Sequence, residues 1–304
     1  MIDLHCHSTA SDGTYSPAEL ISLAKKLGLK AIALTDHDST AGVAEFLGQA
    51  DKENFRNAIP GIELAARNQS LQTFHILGLF IQPEHPELLR ITEDILHWRN
   101  ERNLHIIARL NQLGMKITFA EVAEFCPGGV LGRPHIAKAL LAKKYCRSIK
   151  QAFDKIIGRG CEAYVFRRVP APEECIQVIQ AAGGLAIWAH PYSSDSMTNV
   201  RCRQLATELK EIGLDGIEAY YSLHRHAQTL EALKIAQELQ LLVSGGSDFH
   251  GAHFPKLNLG SGYGRLHIPD SLLPPLQRAA AERSLSGLSS DLIESTAYLH
   301  RRST

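Results

Sequence analysis

Short apolar runs alternate with amphipathic stretches along most of the chain. Ile2 to Leu4 is the first run; a helical stripe of Leu20, Ile21, Leu23, Ala24 and Leu27 follows. That helix is announced by Ser16 as N-cap, Pro17 at N1 and Glu19 at N3, and Gly28 closes it. Ala31-Ile32-Ala33-Leu34 reads as a strand buried on both faces, and a helix is predicted roughly from Thr40 to Gln49. The next two runs, Ala58 to Ile62 (ending at Glu63) and Thr73 to Leu79, lie too close together for a helical crossover. They predict a hairpin turning around Asn68-Gln69-Ser70, which would set Glu63 roughly opposite His75.

A long helical period from Glu87 to about Leu113, then shorter helices from Phe119, Pro134 and Ile149, interrupt this rhythm. It resumes with a helix from Pro172 to Ala182 and a strand from Leu185 to Ala189. A helix near Arg203 to Ile212, a strand from Gly216 to Ala219, a helix from about His224 to Leu239 and a strand from Leu241 to Ser244 complete it. The pattern predicts an α/β barrel built from residues 1–84 and 161–285 and an inserted helical, substrate-capping subdomain at 85–160. A Ser-rich peripheral tail is expected at 286–304.

Composition narrows the class. The 304 residues with 44% apolar content suffice for a substantial core, and Lys+Arg and Asp+Glu balance at 32 each, unlike a basic nucleic-acid coat. Six cysteines (Cys6, Cys126, Cys146, Cys161, Cys175, Cys202) contain no C-x-x-C pair, so neither a zinc ribbon nor a secreted disulfide scaffold is expected. Met1 leads straight into the first strand and no run would span a bilayer, which together predict a cytoplasmic protein with no membrane role and no obligate protein partner. No G-x-x-x-x-G-K-S/T or G-x-G-x-x-G motif supports an ATPase or dehydrogenase.

The candidate chemistry is positional. His5 and His7 flank Cys6 at the end of the first strand, where alternation turns both imidazoles to one face, and Asp12 follows as a hard oxygen ligand. Asp36-His37, Glu63, His190 and Asp248-His250 also fall where an apolar run stops. In a β/α barrel the strand C-termini share one rim, so these groups would converge into a metal site. Asp38 has two readings, a further site residue and a cap for the helix after Thr40.

His5-x-His7 with Asp12, Thr35-Asp36-His37-Asp38, Gly61-Ile62-Glu63, His75, Ala189-His190-Pro191 and Ser247-Asp248-Phe249-His250 resemble the polymerase and histidinol phosphatase (PHP) family of metal-dependent phosphoesterases. The resemblance implies a distorted seven-stranded (β/α)7 barrel and two or three divalent ions, manganese foremost, with zinc or iron as alternatives. It implies one ion on His5, His7, Glu63 and Asp248, a second on Glu63, His75 and His190, and a third on Asp12, His37 and His250. Asp248, His190 and His250 are the candidates for moving protons.

Gly132-Arg133-Pro134-His135 lies in a stretch, Arg133 to Arg168, with ten Lys/Arg against two acidic residues, and offers a phosphate clamp at a helix start. His224, with Tyr220 and Tyr221, would contact a base or sugar. The expected substrate is a small phosphorylated nucleotide such as adenosine 3′,5′-bisphosphate, with extension to 5′→3′ trimming of short RNA. A histidinol-phosphate-type phosphomonoesterase and a non-catalytic nucleic-acid-binding or regulatory module are the alternatives.

Overall fold

The computed structural model describes residues 1–70, 72–126, 130–194 and 196–285. The predicted tail at 286–304 lies outside them. The chain divides into two compact units, residues 1–90 with 170–304, and residues 91–169. The division thus falls a few residues later at each boundary than the sequence pattern places it, the first boundary lying inside a single long helix.

In chain order the first unit holds β1 (Asp3–Cys6), α1 (Pro17–Lys26), β2 (Ile32–Leu34), α2 (Val43–Glu53), β3 (Ala58–Arg67) and β4 (Thr73–Leu79). The boundary helix α3 (Pro86–Gln112) leads to α4 (Phe119–Ala123), α5 (Arg133–Ala142), α6 (Ile149–Ala152) and a π-helical turn, Phe153–Ile157. The first unit resumes with α7 (Pro172–Ala181), β5 (Leu185–Trp188), α8 (Asn199–Glu211), β6 (Gly216–Tyr221), α9 (His226–Glu238) and β7 (Leu242–Gly246). All seven strands join one sheet in chain order.

The α1 cap is the one expected: Ser16 Oγ accepts from Glu19 N at 3.2 Å, and Glu19 Oε2 accepts from Ser16 N at 2.7 Å. Asp38 does not cap α2, whose N-cap is Gly42; its Oδ1 accepts from Ala65 N at 3.1 Å instead. Its φ of 53° turns the chain sharply after β2, carrying the side chain over to β3.

Strands β1–β3 run parallel, β4 is antiparallel to both neighbours, and β5–β7 are parallel again. This is a nearly closed seven-stranded barrel with surrounding helices. Beyond β7, Asp248 N donates to His5 O and His7 N donates to Phe249 O, both at 2.9 Å, linking the last strand to the first. Gly246 is required at that seam: a Cβ there would sit 2.1 Å from His5 Cβ and 2.6 Å from His5 N.

The hairpin register corrects the sequence expectation. Glu63 pairs with Leu77 and Ala65 with His75, because the turn is longer, closed by Asn68 N on Gln72 O and Gln72 N on Asn68 Oδ1. The slip is by two residues, so Glu63 and His75 still share a face. Nor does β3 stop at Glu63; it runs on to Arg67, because β4 supplies a partner beyond the end of β2.

Apolar side chains from the strands (Ile2, Leu4, Ala33, Ile59, Leu77, Ile187) pack with Leu273 and Leu276 of a helix over 273–285. This cluster supports the rim from below. A separate core in the second unit (Ile106, Leu110, Ile136, Leu140, Ile157) lets that unit bury its own apolar face.

Candidate metal centre

Glu63 is the centre of the rim. Its carboxylate is buried, with Oε1 2.8 Å from His75 Nδ1 and 3.0 Å from His190 Nε2. Oε2 lies 2.8 Å from His37 Nδ1, 3.3 Å from His7 Nε2 and 3.4 Å from His5 Nε2. Asp248 Oδ1 approaches the same two nitrogens, His7 Nε2 at 3.1 Å and His5 Nε2 at 3.4 Å. Asp12 and His250 complete the edge, with Asp12 Oδ1 3.3 Å from His250 Nε2.

Antiparallel β4 explains why His75 belongs here although it lies near the start of its strand: that end of β4 shares the rim with the C-terminal ends of its parallel neighbours. His190 and Asp248 take positive φ, 30° and 58°, turning sharply off β5 and β7. Cys6, between the two histidines, points away, its Sγ donating to Ala33 O at 3.1 Å.

Electrostatics bind the cluster. Burial would raise the Glu63 carboxyl, but His37, His75 and His5 hold it well below the usual range. Burial likewise opposes ionisation of Asp248, and the charges of His5 and His7 outweigh it. Burial would lower His5, yet Glu218, Glu63 and Asp248 carry it well above its ordinary value.

His5 Nε2, both His7 ring nitrogens and Glu63 Oε2 are buried without a hydrogen bond, although acceptors and lone pairs crowd around them. Unsatisfied buried polar atoms are costly, and a convergent group of them fits cations better than it fits protein hydrogen bonding. Four groups have ligand atoms within 4.8 Å of one another: His7, Asp12, His37 and His250; His5, His190 and Asp248; His5, His7 and Glu63; and His37, Glu63 and His75. The residues present therefore fit divalent metal ions. The partition differs from the one the resemblance implies, since His37 also joins Glu63 and His75, and His190 also joins His5 and Asp248.

Sequence reasoning missed the supports. Glu218 on β6 takes His5 Nδ1 at 3.0 Å and accepts from His190 N at 2.7 Å. An acidic residue inside the apolar run Gly216 to Ala219 was the available signal. Tyr221 OH donates to Asp248 Oδ2 at 3.0 Å. Burial, then the negative charges of Asp248 and Glu218, push its hydroxyl well up, so it stays a donor. Asp36, which shares the rim motif, is instead spent on the loop after β1, accepting from Ser8 N at 2.8 Å and Ser8 Oγ at 2.6 Å.

Of the expected substrate residues, Arg133 and His135 belong to the second unit and His224 to the first. Arg133 opens α5 in the second unit, its guanidinium 5.6 Å from the Phe153 ring and 5.8 Å from the Tyr164 ring. His135 Nδ1 accepts from Gly132 N at 3.0 Å, capping the same helix. His224 Nδ1 donates to Ala219 O at 3.0 Å, and its ring lies 5.2 Å from that of Tyr221.

A barrel whose rim gathers imidazoles and carboxylates around shared oxygens defines a metal-dependent hydrolase. The PHP domain model matches residues 3–159, and the chain belongs to this family of metal-dependent phosphoesterases. It is 34% identical to a 5′-3′ exoribonuclease of Haemophilus influenzae over 90% of this chain and 96% of that protein. It is 32% identical to a 3′,5′-nucleoside bisphosphate phosphatase of Chromobacterium violaceum over 91% of this chain and 94% of that one. The solved structure of a putative metal-dependent phosphoesterase from Bifidobacterium adolescentis superposes with a TM-score of 0.75 at 28% identity, covering 91% of this chain and 95% of that chain. No helix among the described residues is long and apolar enough to cross a membrane.

Proposed function

We propose that this chain removes the 3′-phosphate of nucleoside 3′,5′-bisphosphates, such as adenosine 3′,5′-bisphosphate to AMP and phosphate, and extends to 5′→3′ trimming of short RNA. The observation that carries this reading is the convergence of His5, His7, His37, His75 and His190 on the two oxygens of Glu63. Relatives named for both activities agree with it.

His5, His7, Asp12, His37, Glu63, His75, His190, Asp248 and His250 would hold two or three divalent ions. Manganese is the metal proposed, with zinc or iron as alternatives, since mixed imidazole and carboxylate donors suit all three. When bound, such ions supply hydroxide near neutral pH and neutralise phosphoryl oxygens.

The chain's own residues orient and shuttle. Tyr221 fixes Asp248 through Oδ2, leaving Oδ1 toward the histidines. Asp248, His190 and His250 are the groups proposed to pass a proton to the leaving 3′-oxygen. His224 is lowered by burial, and with Nδ1–H spent on Ala219 O its Nε2 is a buried acceptor without a donor among the described residues; we keep His224 as a proposed contact to the base or sugar. In the second unit, burial and then the charges of Arg133, Arg167 and Arg99 lower the Arg102 guanidinium to about 9. Arg133 thus stands in a group of cations, which supports it as a phosphate ligand.

The test is phosphate release by the manganese-loaded protein from adenosine 3′,5′-bisphosphate, beside nucleotide release from 5′-phosphorylated RNA and phosphate release from histidinol phosphate. Turnover of the bisphosphate is expected, and preference for histidinol phosphate would overturn the assignment.

A further inference from the structure

Beside Tyr221 the first unit carries a groove of about 810 Å³, within the range of roughly 300–1,000 Å³ that encloses a drug-sized ligand. Tyr221 belongs both to this groove and to the metal centre, where it holds Asp248 and packs 5.3 Å from the His190 ring. The groove and the metal centre thus share Tyr221.

Its lining includes both rings and cations. Tyr220 and Tyr221 are its more buried rings, and Arg225, Tyr263, Arg265 and His267 are exposed. No carboxylate lines it, although acids equal bases over the whole chain, 32 to 32. Among the described residues neither Arg225 nor Arg265 stands in an ion pair. Tyr263 leaves 45% of its surface in water. Exposed rings together with guanidinium groups outside any ion pair among the described residues suit one kind of ligand: a chain whose flat bases stack while its phosphates meet positive charge.

We propose that this groove is the track for a single-stranded polynucleotide, RNA on the functional reading above, running away from the scissile nucleotide held beside Tyr221. The proposal rests on that reading for the identity of the strand. It makes the groove the element that separates polymer from mononucleotide substrates, because only the polymer reaches Tyr263 and Arg265.

The test is the double variant Tyr263→Ala/Arg265→Glu, both side chains being exposed and outside the metal centre. Binding of a 3′-labelled, 5′-phosphorylated oligoribonucleotide is followed by anisotropy on chelator-treated protein, over a range of salt. Turnover of the same oligonucleotide and of adenosine 3′,5′-bisphosphate is then compared on manganese-loaded protein. The wild type is expected to bind the oligonucleotide with affinity that falls as salt rises. The variant should bind it at least about tenfold more weakly, with a matching rise in KM. Its kcat/KM for the bisphosphate should stay within about twofold of wild type, which also reports correct folding. Equal loss on both substrates, undiminished oligonucleotide binding by the variant, or no binding by the wild type would overturn the track. If the wild type turns over neither substrate yet binds the oligonucleotide and the variant does not, the assigned activity fails while the groove stands.

Discussion

His5 Nδ1 lies 3.0 Å from Glu218 Oε1, which leaves Nε2 of the same ring facing Glu63 and Asp248. Glu218 is fully buried and its other oxygen holds the backbone N–H of His190, so one carboxylate from β6 orients residues from two other strands. A partner of this kind fixes the tautomer of a metal-ligating histidine and raises its basicity.

Replacing Glu218 by Ala should therefore lower metal affinity by about 10–100-fold. Glu218→Gln keeps acceptor capacity through one oxygen and should lose less. Metal content after dialysis against graded chelator reads the effect; retention of wild-type content by the Ala variant would show that the His5 ring is held by packing alone.

Tyr221→Phe removes the donor to Asp248 Oδ2 and nothing else of size. A hydrogen bond to a charged group is worth roughly 1.5–3 kcal/mol, so kcat should fall by about tenfold or more while metal content stays constant. Coincident loss of metal would instead make Tyr221 a support for binding.

Acidity acts on the metal-free protein in a definite direction. His5, His7 and His250 are raised, so their contribution to stability is complete below about pH 6.5 and is lost as pH climbs through the raised values. Glu63 and Asp248 are lowered, so their contribution is present above the ordinary carboxylate range and is lost as pH falls through the lowered values. Chelator-treated protein should thus melt at progressively lower temperature from neutral into alkaline pH. Manganese loading competes for the same nitrogens, releases protons and tightens as pH rises. Calorimetry with and without chelator across that window decides; a metal-free melting temperature that climbs with pH would contradict the assignment of charge.

Arg102, lowered to about 9 by burial and neighbouring arginines, makes the second unit responsive to anions. Sulfate should raise the melting temperature relative to chloride at equal ionic strength, by about 2–4 °C for each kcal/mol of linked binding. Arg102→Met should lose most of that rise. Equal responses to the two salts would show that the crowding is relieved within the protein.

The alternation of apolar runs and helical stripes was enough to place all seven strands, because each strand is buried and each helix shows one apolar face. The rim was legible for a related reason. A charged or imidazole side chain ending an apolar run has few innocent explanations, and His5, His7, His37, His190, Asp248 and His250 all do so, whereas Glu63 was read as such an end and lies inside β3. Where the reading slipped, the cause was local geometry that periodicity does not encode. Turn length moved Glu63 from His75 to Leu77, and a positive φ sent Asp38 to Ala65 N instead of to a helix cap.

By itself the sequence determined which elements form and which side chains reach the barrel mouth, since both follow from period and chain direction along single strands. Only the tertiary structure decided which ring faces which oxygen, that Glu218 and Tyr221 serve the centre, and that rings and cations distant in sequence line one groove. Those relations are set by strand register, backbone turns and barrel closure, which depend on residues far apart in the chain; an acid inside an apolar run, as at Glu218, marks a buried partner without saying which.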